Sequence, residues 1–289
     1  MREPKLVAVG SSDIIANEIR EISESFLGRV LPITTCTTAE VREARPDVFY
    51  LCAVTQRAAL ARVVPPKQMF VFELHPTTLF FLAIARIPDG ETVCVFNNRL
   101  SYTGVLTEEC RALGIRGLRF LPVAYEEMPA DEVRQRLRQA RYIVGVDRMV
   151  QEGGVLFERY RADLGPEVRI IPGKRTASIA SASRLLSGLA AFYGEALAQE
   201  KHRLEETAAS TGTEAIRALS KEAASIFDWL KNAALQLVTS QIGSQDFLPA
   251  DTLAPEDMVS GPAAEAGERL QGQMDALRYL EKKLRQLSV

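Results

Sequence analysis

The chain has 289 residues, 47% of them hydrophobic and 25% charged, with 35 Lys and Arg against 37 Asp and Glu for a formal charge of −2. That balance excludes a basic protein that coats nucleic acid, and the longest apolar stretch, around Leu79–Ile87, is too short to span a bilayer. The start of the chain shows no apolar signal segment with a small-residue cleavage site, so a cytoplasmic chain is expected.

Leu6-Val7-Ala8-Val9 reads as a buried strand, and Gly10-Ser11-Ser12-Asp13 turns it into a helix with Ile14, Ile15, Ile19, Ile22 and Phe26 on one face. Val30–Ile33 reads as a second strand. Thr37 or Thr38 is then placed to cap a short helix before the strand Val48–Ala53. Met69–Phe72 completes the set. Strands separated by helical patterns imply parallel βαβ units. The pattern then restarts, with a helix from Thr77 to Ala85, the turn Pro88-Asp89-Gly90 and the strand Thr92–Phe96. After the polar turn Asn97-Asn98-Arg99, Ser101 is placed to cap a helix burying Leu100, Val105, Leu106 and Leu113, and Gly114 ends it. Leu118–Pro122, Tyr142–Val146 and Val168–Ile171 are further strands, with a helix from Asp131 to Ala140. The strand–polar turn–helix phrase therefore occurs twice, 87 residues apart at Val7 and Cys94.

From Thr176 the pattern becomes helical. Ile179, Ala182, Leu185, Leu186, Leu189, Phe192 and Tyr193 form one stripe, and the helical pattern continues to about Gln241. Residues 243–262, with Pro249, Pro255 and Pro262, read as a linker. Leu270, Leu277 and Leu284 then repeat at seven residues, with Gln273, Leu280 and Leu287 on the neighbouring positions, which suits a short coiled coil or a helix packed on its neighbour. The expected fold is α/β: two small parallel-sheet lobes at 1–75 and 76–175, a helical region at 176–242, the linker at 243–262 and an amphipathic helix at 263–289.

Ligands of parallel α/β domains bind at the carboxyl ends of strands. There the sequence places Ser11 and Ser12 at a helix start suited to an anion, and Asn97, Asn98, Arg99 and Ser101 at the equivalent turn of the second lobe. Thr55 with Gln56 and Arg57, Pro122 to Tyr125, and Asp147 with Arg148 are the remaining strand-end groups. Two lobes facing each other would bring these residues to one interlobe cleft. Neither GxGxxG nor GxxxxGKS/T occurs, and no cofactor is expected. Cys36, Cys52, Cys94 and Cys110 form no CxxC pair, so no metal site is expected and the thiols read as reduced core residues. With only His75 and His202, no Ser-His-Asp or Cys-His arrangement stands out, and no catalytic residue is assigned.

The phrases Pro88–Asn98, Leu113-Gly114-Ile115 before Leu118–Pro122, and Ser178–Ala182 after Val168–Ile171 together resemble the N-terminal sensory domain of sigma-54-dependent bacterial transcription activators, of the propionate-catabolism type. The resemblance covers about residues 5–192. It implies two lobes like those of periplasmic binding proteins, with an effector between them. The ATPase and helix-turn-helix segments of those activators have no counterpart here, which implies a sensor without ATPase or DNA-binding parts. The expected partners are a small anionic or polar ligand in the interlobe cleft and a second copy joined through the helical tail. A protein partner is left open; nucleic acid and membrane are not expected. Two other readings fit the sequence: a two-lobed enzyme acting on a small acid, drawing on Cys52, Cys94, Tyr125 or Asp147, and a helical assembly protein.

Overall fold

The computed structural model describes residues 3–207, 212–242 and 266–288. The expected linker at 243–262 lies outside them. Among the described residues no helix is long and apolar enough to cross a membrane. The chain divides into two compact units, Met1–Leu74 with Ala177–Val289 and His75–Thr176.

The first unit opens with β1 (Lys5–Gly10), α1 (Asp13–Leu27), β2 (Ile33–Thr37), β3 (Val48–Ala53), the single turn α2 (Arg57–Leu60) and β4 (Met69–Phe72). The strands form one parallel sheet in the order β2-β1-β3-β4, with Val9 level with both Cys36 and Cys52. All but the first residue of β1 are buried, as a strand covered on both faces requires. Two readings shift here. The second strand begins at Ile33 instead of Val30, which is 61% exposed. An edge strand has one free side, so it tolerates Thr34 and Thr35 in place of a continuous apolar run. The short helix expected after Thr37 is absent, because the Glu40 carboxylate turns back to accept the Thr37 N–H (2.6 Å) and hydroxyl (2.8 Å) and closes a turn instead.

After β5 (Leu74–Pro76), the second unit holds α3 (Thr78–Ala85), β6 (Thr92–Asn97), α4 (Ser101–Ala112), β7 (Arg119–Ala124), α5 (Ala130–Arg138), β8 (Tyr142–Val146), α6 (Asp147–Val150), α7 (Val155–Tyr160) and β9 (Arg169–Gly173). Its sheet is again parallel, in the order β7-β6-β8-β9. Both sheets therefore carry the same strand order, and β1 and β6 begin 87 residues apart. On α4 the buried face is Thr103, Leu106 and Cys110, while Leu100, Val105 and Leu113 are exposed. Spacings of three and four residues keep the first set on one side, and Val105 falls about 100° away from Leu106.

The chain returns through β10 (Arg175–Ala177), which pairs with β5, into three long helices: α8 (Ile179–Thr207), α9 (Gly212–Ile242) and α10 (Ala266–Gln286). The stripe on α8 is buried at Ala182, Leu185, Leu186, Leu189 and Tyr193 against the sheet of the first unit. The three helices pack on one another, and α1, the sheet and the bundle share one continuous core. Trp229 of α9 ties bundle to sheet layer by donating its indole N–H to the Leu27 carbonyl at 2.7 Å. The leucine repeat of α10 is spent inside the chain, with Leu270, Leu277, Leu280 and Leu284 fully buried. Gln273 sits in that seam and accepts a hydrogen bond from Ser220 of α9 (2.8 Å).

Candidate functional site

In a parallel sheet of this order the chain leaves the first strand in one direction, returns past it, and continues the other way. The two connections diverge at the carboxyl ends of β1 and β3, and of β6 and β8, and such divergence opens a crevice where small ligands bind. All the sequence-chosen residues but Tyr125 fall at these places, and Tyr125 lies at the carboxyl end of the edge strand β7. Ser11 and Ser12 follow β1, and Thr55 follows β3. Asn97 ends β6 and Asn98, Arg99 and Ser101 follow it, Tyr125 follows β7, and Asp147 and Arg148 follow β8. The first three belong to one unit and the rest to the other.

In the second unit the polar groups largely satisfy one another. Asn97 is buried, and its side-chain oxygen accepts the N–H groups of Asn98 (2.9 Å) and Arg99 (3.4 Å). The anion at the start of α4 is the chain's own. Glu127 accepts from the Arg99 guanidinium and from the Leu100 N–H, both at 2.8 Å. Those two bonds hold the Glu127 carboxyl below the usual carboxylate range, the Arg99 bond contributing most. Asn98 donates to Glu126 at 3.2 Å. Ser101 is the first helical residue, so the capping position expected of it falls to Leu100, whose N–H is the one Glu127 accepts. The Tyr125 ring stacks on Phe96 at 5.2 Å with the Arg159 guanidinium 5.9 Å from its centre, and burial pushes its phenol up. Asp147 accepts the Arg148 N–H at 2.7 Å and opens the single turn of α6.

The equivalent place in the first unit differs. Ser11 and Ser12 are exposed, and Ser12 holds the capping position of α1 in extended conformation without a side-chain cap bond. Asp13 places one carboxylate in that first turn, at the positive end of the helix dipole, with no cap bond from Ser12 beside it. Alongside, Val54, Thr55 and Gln56 leave β3 in a 3-10 turn. Thr55 is exposed, whereas Gln56 is 6% exposed and its side-chain oxygen has no hydrogen-bond partner among the described residues. A buried unpaired amide oxygen costs about 1–3 kcal/mol. The sequence marks Gln56 as a strand-end residue, but nothing in its pattern shows that it alone of its turn points inward.

The groups available for covalent chemistry are muted. Cys52 and Cys94 are buried, and desolvation pushes their thiols up to about 12 and about 11. Cys110 is likewise pushed up to about 11, by burial and then by Glu109. All three are protonated at neutral pH and poor nucleophiles. We expect iodoacetamide at pH 8 to label the half-buried Cys36 first and to leave the other three intact until the protein is unfolded. Mass spectrometry of the native protein checks this, and fast labelling of Cys52 or Cys94 would contradict it. His75 and His202 are exposed, near Glu109 (3.7 Å) and Glu206 (3.3 Å), and belong to neither strand-end cluster. Among the described residues no three His, Cys, Asp or Glu side chains are grouped to hold a metal ion.

A comparison with models of known protein families, with curated protein sequences and with solved structures gives no match to this chain.

Proposed function

We propose that the chain is a small-ligand sensor or regulatory module, and that it takes its ligand at the carboxyl ends of β1 and β3. The observation that carries this reading is that, at neighbouring strand ends, Ser12 makes no side-chain cap bond to α1 and the buried Gln56 side-chain oxygen has no hydrogen-bond partner among the described residues. Together they ask for a ligand with an anionic group and a neighbouring polar group, such as a small hydroxylated carboxylate or phosphate. The anion meets the first-turn N–H groups and the Ser11, Ser12 and Thr55 hydroxyls, and the hydroxyl pairs with the Gln56 amide. The shared core of sheet and bundle supports a signalling role, because a change at α1 is felt by the helices packed on it. The resemblance of the element order to activator sensory domains supports the same role, with a separate protein receiving the signal from the bundle.

Ser12→Asp gives the test. The new carboxylate would do in the first unit what Glu127 does in the second: cap the helix and repel an anionic ligand. A thermal-shift screen of small carboxylates and phosphates is expected to find stabilising compounds for the native chain. Ser12→Asp should raise the ligand-free melting temperature slightly, by the equivalent of about 0.3–1 kcal/mol, and remove the ligand shift. Arg99→Ala should leave the shift in place, since its guanidinium is held by Glu127. A blank screen, or a shift that survives Ser12→Asp and disappears in Arg99→Ala, would overturn the assignment.

A further inference from the structure

Away from the strand carboxyl ends, the second unit carries a basic groove. It is bounded by α4, the loop that follows it and the edge strand β7, and has a volume of about 640 Å³. Arg111, Arg116 and Arg119 line it together with the apolar Ile115, Leu118 and Phe120, and no acidic side chain does. Arg111 bonds the exposed Glu108 at 2.7 Å, whereas Arg116 and Arg119 are exposed and bond no carboxylate among the described residues. The loop that carries Arg116 is held at both ends. The Ile115 N–H donates to the Cys110 carbonyl (2.8 Å), the Gly90 N–H donates to the Gly117 carbonyl (2.7 Å), and the Asp89 side chain lies against Gly117.

The backbone at this edge adds a second feature. Arg119 and Tyr125 donate their N–H groups to the carbonyls of Glu91 and Asn97, at the two ends of β6, both at 3.0 Å. Backbone groups alternate in direction along a strand, so Phe120, Pro122 and Ala124 turn theirs away from β6. Two of these three are spoken for. Pro122 has no N–H and its carbonyl accepts from the Arg136 guanidinium (2.5 Å), and the Ala124 N–H meets the Met128 sulfur (3.2 Å). Phe120 is left with both an N–H and a C=O directed outward, where it borders the groove.

We propose that this groove docks a short acidic segment of a partner protein, extended alongside Phe120. Such a segment pairs with Phe120 through one N–H and one C=O, seats an apolar side chain on Ile115, Leu118 and Phe120, and brings carboxylates to Arg116 and Arg119. A guanidinium is a planar fork of donors that holds both oxygens of a carboxylate. Charge of one sign along the lining selects an acidic partner. The outward N–H and C=O of Phe120 select a peptide over a nucleic-acid strand or a free phosphate, neither of which offers a backbone N–H beside a C=O. No residue of the ligand site proposed at β1 and β3 takes part.

Fluorescence anisotropy of a labelled Glu-Asp-Leu-Asp-Glu peptide with the full chain tests this. Saturable binding is expected at low ionic strength. Arg116→Glu and Arg119→Glu should each weaken it by about fivefold or more. Arg62→Glu, an equal change of charge at an exposed position of the first unit, should leave it unchanged. N-methylating the peptide backbone keeps its charges and removes its edge donors, and should abolish binding to the native chain, a loss that no folding defect can imitate. A single-stranded oligonucleotide of equal charge should bind more weakly than the peptide. Absence of peptide binding, an undiminished affinity in Arg116→Glu or Arg119→Glu, an equal loss in Arg62→Glu, undiminished binding of the N-methylated peptide, or tighter binding of the oligonucleotide would each overturn the proposal.

Discussion

Replacing Gly10 by alanine is expected to cost the first unit about 3 kcal/mol or more. Gly10 is the last residue of β1, and the first turn of α1 lies directly on it. A Cβ there would sit 2.6 Å from the Ser12 carbonyl oxygen, 2.8 Å from the Ile15 carbonyl carbon, and closer still to the Ala16 nitrogen. All three are backbone atoms of a turn and a helix that share the core with the sheet, so none moves aside cheaply. Relief requires lifting the start of α1, which carries Ile19, Ile22 and Phe26 into that core. Urea unfolding followed by circular dichroism reads the effect as a lowered midpoint. Gly272→Ala is the matched control, since nothing lies within 4 Å of that position in α10. It should be neutral or stabilise by about 0.5–1 kcal/mol. Equal midpoints for Gly10→Ala and wild type would show that α1 is not seated on the strand end, and the ligand site proposed there would lose its geometry.

Leu280→Ala is expected to destabilise by about 2–5 kcal/mol, the range for emptying a fully buried leucine position. Leu280 is 0% exposed and lies in the seam that α10 presents to α8 and α9. The accompanying observable decides what that seam does. If the leucines pack within the chain, Leu280→Ala lowers the unfolding midpoint and leaves the native mass as it is in the wild type. If they joined two chains, the variant would lose mass before it lost secondary structure, and its unfolding would depend on protein concentration more steeply than the wild type's. Light scattering beside circular dichroism separates the two. A halved mass with an unchanged melting profile would refute intrachain packing.

Much of the α/β part was legible because its physics is local. Val48–Ala53, Met69–Phe72 and Tyr142–Val146 are unbroken apolar runs, and the structure has strands over the same residues. A strand buried on both faces, as β3 and β8 are, leaves no alternative pattern. The second strand begins later than its apolar pattern suggests because an edge strand relaxes that demand, and Thr37 opens a turn in place of a helix because its partner Glu40 carries no periodic signal. Among site residues, strand-end position was readable, since parallel topology alone places those turns at one end of each sheet. That Arg99 is held by Glu127 was not readable, because the partners lie 28 residues apart on different turns.

The sequence by itself determined most of the strands and the longer helices, that the strand–turn–helix phrase recurs, and which turns end those strands. Periodicity and turn chemistry act over a few residues and need no partner to be read. Tertiary structure alone decided what each end of those strands does. It filled the α4 start with Glu127, left the α1 start without such a cap beside a buried Gln56, and folded the leucine face of α10 back into its own chain. Each of these depends on which groups meet across long stretches of chain, where burial and pairing outweigh local preference by several kcal/mol.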